Sequence, residues 1–347
     1  KLIKSMSNLS QQEWLAQISE EIIDPEQRII DPHHHLWPGV SSDSSENSNQ
    51  YLLEDLWADT GSGHNVTNTV FIDCSQCYWN STDQALNPVG ETEFVKELAD
   101  ASKADPNQAT ISGIVGHVDM LLGFEAERVL EKHLEVGQEL FKGIRHAGGW
   151  DPHSNVRNSH HDACEGLYLL PNFLDGLQTL TKLGYVFEAW QYHHQITQIT
   201  ELAKEFPDLI IILNHFSGPL GIGPYENKQD EIFIQWQKDL KELSQHENVY
   251  AKLGGLAMPV NGFGFHTQAK PPTSDEFVSK QKAYYETALE YFTPARCMFE
   301  SNFPVDKASI SYPVLWNAFK KIAKDYSSAE KDQLFYQTAA KVYRITD

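Results

Sequence analysis

Cysteine is scarce in this chain: Cys74, Cys77, Cys164 and Cys297 are the four among 347 residues. That is too few to staple a fold of this length, so reduced thiols and a cytoplasmic location are expected. Positive charge is short as well, with 27 Lys and Arg against 48 Asp and Glu and a formal charge of −21. Such a field excludes nucleic acid and anionic membrane as expected partners and leaves a small-molecule substrate. No apolar run approaches the ~20 residues that span a bilayer, and the N-terminal stretch KLIKSMSNLSQQEWLAQISEEI has no signal-peptide core. The glycine-rich loops GPLGIGPY (218–225) and GFGFH (262–266) lack phosphate-loop or dinucleotide spacing, so no phosphate cradle is expected. Cys74 and Cys77 form a lone C-x-x-C without a second pair, and both are read as packing or pocket-wall residues.

What is present is a regular alternation. Eight runs rich in Val, Ile, Phe and Tyr read as strands: RIID (28–31), NTVFIDC (68–74), TISGIVGH (110–117), LFKGIR (140–145), GYVFEAW (184–190), LIIILNH (209–215), NVYAKLG (248–254) and RCMFES (296–301). Segments of helical period fill most gaps, such as GETEFVKELADASKA and FVSKQKAYYETALEYF, and two more follow the eighth strand, PVLWNAFKKIAKDY and SAEKDQLFYQTAAKVY. Parallel strands need crossover helices, so the pattern predicts one closed (β/α)8 TIM barrel over residues 1–347, with a doubly wound open sheet as the competing topology. Residues 1–27 read as a helical extension, with Trp14, Leu15, Ile18 and Ile22 near one face. Residues 38–63, polar and serine-rich, read as a long loop over the active end, a lid with a short turn at YLLEDLWA. A homodimer is compatible with the fold class, though no heptad or apolar stripe marks an interface.

In such barrels the chemistry sits at the C-terminal ends of the strands. Strand one ends in Asp31-Pro32-His33-His34-His35, and alternation puts Asp31, His33 and His35 on one face with His34 outward. Two imidazoles at this spacing can reach one metal ion at ~2.0–2.1 Å. Strand six ends in Asn214-His215, strand five runs on through Trp190 to Tyr192-His193-His194, and strand three ends in His117. Strand four ends in Arg145-His146, strand seven carries Lys252, and strand eight leads to Glu300-Ser301-Asn302 with Asp306 beyond. A single strand-end histidine is usually a hydrogen-bonded structural residue; histidines at several converging ends shift that balance toward a site. Lys252 could equally pair with a buried acid and do nothing else.

Asp31-x-His33-x-His35, the strand-six LNHFSGP and the strand-eight ESNFPVD together resemble the amidohydrolase superfamily, and most closely its amidohydrolase-related branch of TIM-barrel hydrolases, the sugar-lactonase and pyrone-dicarboxylate lactonase group. GIVGHVDM and FKGIRHAGGWDP share that look, and the resemblance runs from about Arg28 to about Arg344. It implies a hydrolase that opens a lactone or related cyclic ester of a sugar acid or dicarboxylate by attack of water. His33, His35 and His215 would hold one divalent metal, zinc or manganese, or act without metal as donors to the carbonyl. His193 would be a further ligand or substrate contact, Arg145 and Lys252 would hold the substrate, and Trp190 and Tyr192 would flank it.

The sequence departs from that pattern at one place. The strand-eight aspartate, the superfamily's general base, is here Asn302, and a neutral amide takes no proton from water at pH 7. Asp306 or Glu300, a histidine, or the metal with Asn302 orienting the water would then have to serve. The rival readings are a non-oxidative decarboxylase of the same fold, which also leans on the missing aspartate, and a binding protein that has lost catalysis.

Overall fold

The computed structural model describes residues 9–39 and 49–346. Eight parallel strands follow one another in chain order: β1 (Arg28–His34), β2 (Asn65–Ile72), β3 (Thr110–Gly116), β4 (Phe141–Arg145), β5 (Val186–Ala189), β6 (Ile211–Leu213), β7 (Val249–Leu253) and β8 (Cys297–Phe299). The stretch after β8 returns to β1, where Asn302 N donates to the His33 carbonyl at 3.0 Å and His35 N to the Phe303 carbonyl at 2.8 Å. The result is a (β/α)8 TIM barrel. No helix among the described residues is long and apolar enough to cross a membrane.

The helices form where apolar period and caps coincide. The one over Ser274–Phe292 begins with a reciprocal cap, Glu276 N donating to Thr273 Oγ1 at 3.1 Å and Thr273 N to the Glu276 carboxylate at 2.8 Å, and stops before Pro294. Phe277, Tyr284, Tyr285 and Phe292 of that helix join the large apolar layer between sheet and helices. A second apolar cluster fills the barrel itself, with Ile30, Val70, Val115, Ile212 and Met298 pointing inward. Tyr336, Val342 and Tyr343 close it from below, and Arg28, the first residue of β1, stacks over the Tyr336 ring.

Three local readings change. The N-terminal helix is only Gln11–Leu15, capped by Ser10 and Glu13. From this helix and just beyond it the chain is pinned to the loop that follows β7, Trp14 Nε1 donating to the Gln268 carbonyl at 3.0 Å and Gln17 Nε2 to that of Ala269 at 3.3 Å. In the segment read as a lid, residues 40–48 lie outside the described residues; Tyr51 pairs with Trp37, and the expected short turn is a two-turn helix, Leu53–Thr60. The last expected helix is interrupted by a π turn at Gln333–Gln337 between Ser328–Asp332 and Thr338–Tyr343.

Candidate active site

β1 delivers its histidines through an irregularity. The register with β2 slips between Asp31 and His34, which breaks the simple alternation. Asp31 therefore leaves the site and accepts hydrogen bonds from Ser301 N at 3.0 Å and Tyr312 Oη at 2.9 Å, while His34 packs edge-on against Phe71. His33 and His35 stay together, their ring centroids 5.0 Å apart. His215 joins them, its ring 4.5 Å from that of His33.

His215 reaches this place because the chain after β6 runs through three consecutive left-handed residues, with φ of 50° at His215 and 58° at both Phe216 and Ser217. L-residues resist that conformation, so the neighbourhood must enforce it. Trp236 Nε1 donates to the Phe216 carbonyl at 2.7 Å and Gln191 Nε2 to Ser217 Oγ at 2.6 Å. Gly255, itself at φ 64°, lies so close that a Cβ there would collide with His215 Nδ1.

Burial pushes His33, His35 and His215 well below the ordinary imidazole range, so all three are neutral near pH 7. His35 Nδ1 lies 2.8 Å from the Ile72 carbonyl, which can only accept, so the proton is on Nδ1 and Nε2 keeps its lone pair. Glu300 lies against the other two rings: one oxygen hydrogen-bonds His215 Nδ1, and the other sits 3.0 Å from His33 Nδ1 without the alignment of a hydrogen bond or any other partner among the described residues. Ligand atoms of His33, His215 and Glu300 lie within 4.8 Å of one another. Neutral imidazoles beside a buried, under-satisfied carboxylate are a donor set that suits a zinc- or manganese-like ion.

Arg145, from the end of β4, spans the floor of the site. Its Nε donates to Asp73 Oδ1 at 2.8 Å and its Nη2 to the Asp73 carbonyl at 2.6 Å, while Nη1 lies 3.5 Å from His33 Nε2 and 3.4 Å from Asn214 Oδ1. Lys252 is sealed beneath. Its Nζ donates to the Pro32 carbonyl at 2.8 Å, pairs with Glu188 at 3.0 Å and lies 3.2 Å from His33 Nδ1. Asn214 and Tyr343 also hydrogen-bond Glu188.

Above this floor opens a cavity of about 450 Å³. His35, His215, Arg145, Asn302, Trp190 and Tyr192 all line it, so six of the expected site residues converge. The Trp190 ring stands edge-on to His215 at 5.1 Å. Cys74 lines the wall, as read from the sequence. Asn302 donates from Nδ2 to Asp306 Oδ1 at 3.0 Å, which leaves its Oδ1 for a molecule in the cavity.

His33, Lys252, His193 and Asp306 are not on the wall. His33 lies just behind it, and Lys252 contacts protein on every side. His193 starts a 3-10 turn and is buried against Tyr225, its Nδ1 accepting from Leu220 N at 3.2 Å. Asp306 faces Asn302 and Ala257 N, and burial pushes it up to about 8.

The residues not anticipated are Asp73, Ser75 and the loop carrying Arg157, His160 and His161, all lining the cavity. His161 stacks on His117 at 3.7 Å and its Nε2 lies 3.1 Å from Ser75 Oγ and 3.2 Å from Tyr78 Oη. Asp73 ends the FID run, so the strand-end rule applied to every acid would have found it. The loop residues carry no such signal.

Comparison with known proteins places the chain in a family. A family model described as amidohydrolase matches residues 30–345. Uncharacterized protein y4mH of Sinorhizobium fredii is 31% identical, the match covering 91% of this chain and 98% of that one. L-fucono-1,5-lactonase of Burkholderia multivorans is 24% identical over 92% of this chain and 96% of its own. Among solved structures, an amidohydrolase of Burkholderia multivorans with bound zinc superposes with a TM-score of 0.70 at 21% identity, covering 92% and 99% of the two chains. A probable 2-pyrone-4,6-dicarboxylic acid hydrolase of Acinetobacter baumannii with bound citric acid gives 0.58 at 13%, covering 91% and 99%. At these identities the superpositions speak to the fold alone.

Proposed function

Since the chain belongs to the amidohydrolase family, we propose that it is a hydrolase opening a lactone or related cyclic ester of a small sugar acid or dicarboxylate. The observation that carries this reading is the convergence of neutral His35 and His215, with His33 and Glu300 behind them, on a cavity floored by Arg145. Relatedness to an L-fucono-1,5-lactonase supports the substrate class. At about 450 Å³ the cavity suits a monosaccharide-sized molecule.

His33, His35 and His215 would hold one divalent ion, zinc or manganese, with Glu300 balancing its charge; such an ion supplies carbonyl polarisation and a more acidic water. The protein's own groups do the rest. Arg145 presents its Nη1 edge toward the centre, where a planar donor fork suits an ester carbonyl or a carboxylate. Trp190 and Tyr192 wall the sugar face, and Asn302 Oδ1 accepts from and so orients the attacking water.

The test is acid release from a panel of aldono-1,5-lactones, L-fucono-1,5-lactone first, with and without added zinc or manganese. Ring opening by wild type and its loss in His35→Ala are expected. A folded protein inactive on every lactone, or one that releases carbon dioxide from aromatic acids instead, overturns the reading. Elemental analysis should find about one equivalent of metal, absent from His33→Ala.

A further inference from the structure

Ester hydrolysis needs a group to take the proton of the attacking water, and Asn302 cannot. Resting on the hydrolase reading above, we propose that Asp73, at the end of β2, is that proton acceptor.

The other acids near the barrel mouth are engaged elsewhere. Glu300 lies under His33 and His215, and Glu188 holds Lys252, Asn214 and Tyr343. Asp31 holds Ser301 and Tyr312, and Asp306 holds Asn302 and Ala257. Glu91 binds Cys74 N and Gln76 N behind the wall. Asp73 is the one carboxylate that lines the cavity among the described residues.

Its geometry suits the task. Arg145 Nε takes Oδ1 at 2.8 Å and Nη2 takes the backbone carbonyl at 2.6 Å, so the guanidinium fixes the side chain. Oδ2 is left without a hydrogen-bond partner among the described residues. The same guanidinium reaches to 3.5 Å from His33 Nε2, and Ile72, the preceding residue, holds His35. Asp73 is thus tied to both ends of the imidazole group. A carboxylate steered by one arginine contact, with its second oxygen unengaged, can receive the proton as water becomes acidic in the attack.

The step balances. Water oxygen forms the bond to the carbonyl carbon as its proton passes to Asp73 Oδ2. The ring carbon–oxygen bond then breaks, and Asp73 returns the proton to the departing ring oxygen. One water is added and the carboxylate is regenerated.

The rival role is purely to hold Arg145, and it predicts different kinetics. With an aldono-1,5-lactone turned over by wild type, Asp73→Asn keeps an oxygen for Arg145 Nε but loses the base. We expect kcat to fall about 10²–10⁴-fold with KM within a few-fold. In Asp73→Ala, added formate should restore at least a tenth of the lost rate by entering the vacated space as a base. Activity of Asp73→Asn within threefold of wild type overturns the proposal. So does a rise in KM with kcat unchanged, or a folded Asp73→Ala that formate does not rescue. Should Asp73→Ala not fold, the kcat of the near-isosteric Asp73→Asn decides. Wild type inactive on all lactones removes the hydrolase reading and this proposal with it, whereas wild-type turnover with an indifferent Asp73 removes the proposal alone.

Discussion

Lys252 shows how a side chain can matter to a site it never touches. Its ammonium is wholly buried, paired with Glu188 and bonded to the Pro32 carbonyl one residue before His33. Burial pulls its pKa down while Glu188 opposes the shift. Replacing it by methionine leaves Glu188 charged and uncompensated, so Lys252→Met should lose about 3–5 kcal/mol of stability. Urea unfolding of Lys252→Met beside Lys252→Met/Glu188→Gln measures this; the double variant should recover part of the loss, and equal losses would deny the pairing. Of the expected substrate contacts Arg145, Trp190 and Tyr192 were legible because strand-end position alone places them. Lys252 lies one residue before the end of β7, where alternation decides between cavity and core and sequence does not say how deep the barrel floor lies. Asp31 was misplaced for a related reason: the bulge at Pro32 resets the alternation, and one sequence carries no register.

At the scale of elements, two devices hold the mouth in shape. The first is the left-handed turn at 215–217 backed by Gly255. Gly255→Ala would place a methyl against His215 and force a positive-φ alanine, so metal content and lactone turnover should both fall at least tenfold while far-UV circular dichroism stays native. Unchanged metal content would show that the turn yields. The second is Asp151, which lies under the loop that carries Arg157 and His161. It accepts from Tyr225 Oη at 2.6 Å and pairs with His194 Nε2 at 2.9 Å and its own neighbour His153 N at 2.8 Å, tying together segments that follow β4, β5 and β6. Asp151→Ala should release that loop, raising KM severalfold and opening a new protease site within 152–166; an unchanged digestion pattern would show the loop is held by other contacts. All eight strands could be read from their apolar runs, and most of the helices between them from their period. The tertiary bonds of loops could not, because a loop's partners are set by the barrel that brings them together.

For the whole molecule, buried acids and buried histidines pull stability in opposite directions with pH. Burial lowers His64 and His193 to about 4 and His133 to about 3. The unfolded chain binds those protons first, so their contribution is whole above about pH 6.5 and is lost as pH falls toward 4. Burial raises Glu91 and Asp306 to about 8, so the folded state binds protons that the unfolded chain has already released. Their contribution is lost as pH rises from about 4 to 8. Between pH 6.5 and 8 these acids act together with Glu300, also raised to about 8 by burial, and outnumber Lys320, which burial lowers to about 8 and which pulls the other way, so chelator-treated protein should show a lower urea midpoint at pH 8 than at 6.5. Glu91→Gln/Asp306→Asn should flatten that slope; an identical slope in the double variant would place its origin elsewhere.

The plug below the barrel has a temporal consequence. Tyr343 holds Glu188, Glu188 holds Lys252, and Lys252 braces the turn that carries His33. The far end of that relay, Tyr343, is therefore made after every strand of the barrel. A chain in synthesis can lay down every ligand yet cannot assemble the pocket until the helix Thr338–Tyr343 emerges, so competence to react is withheld from the nascent polypeptide until all eight strands and that helix are made.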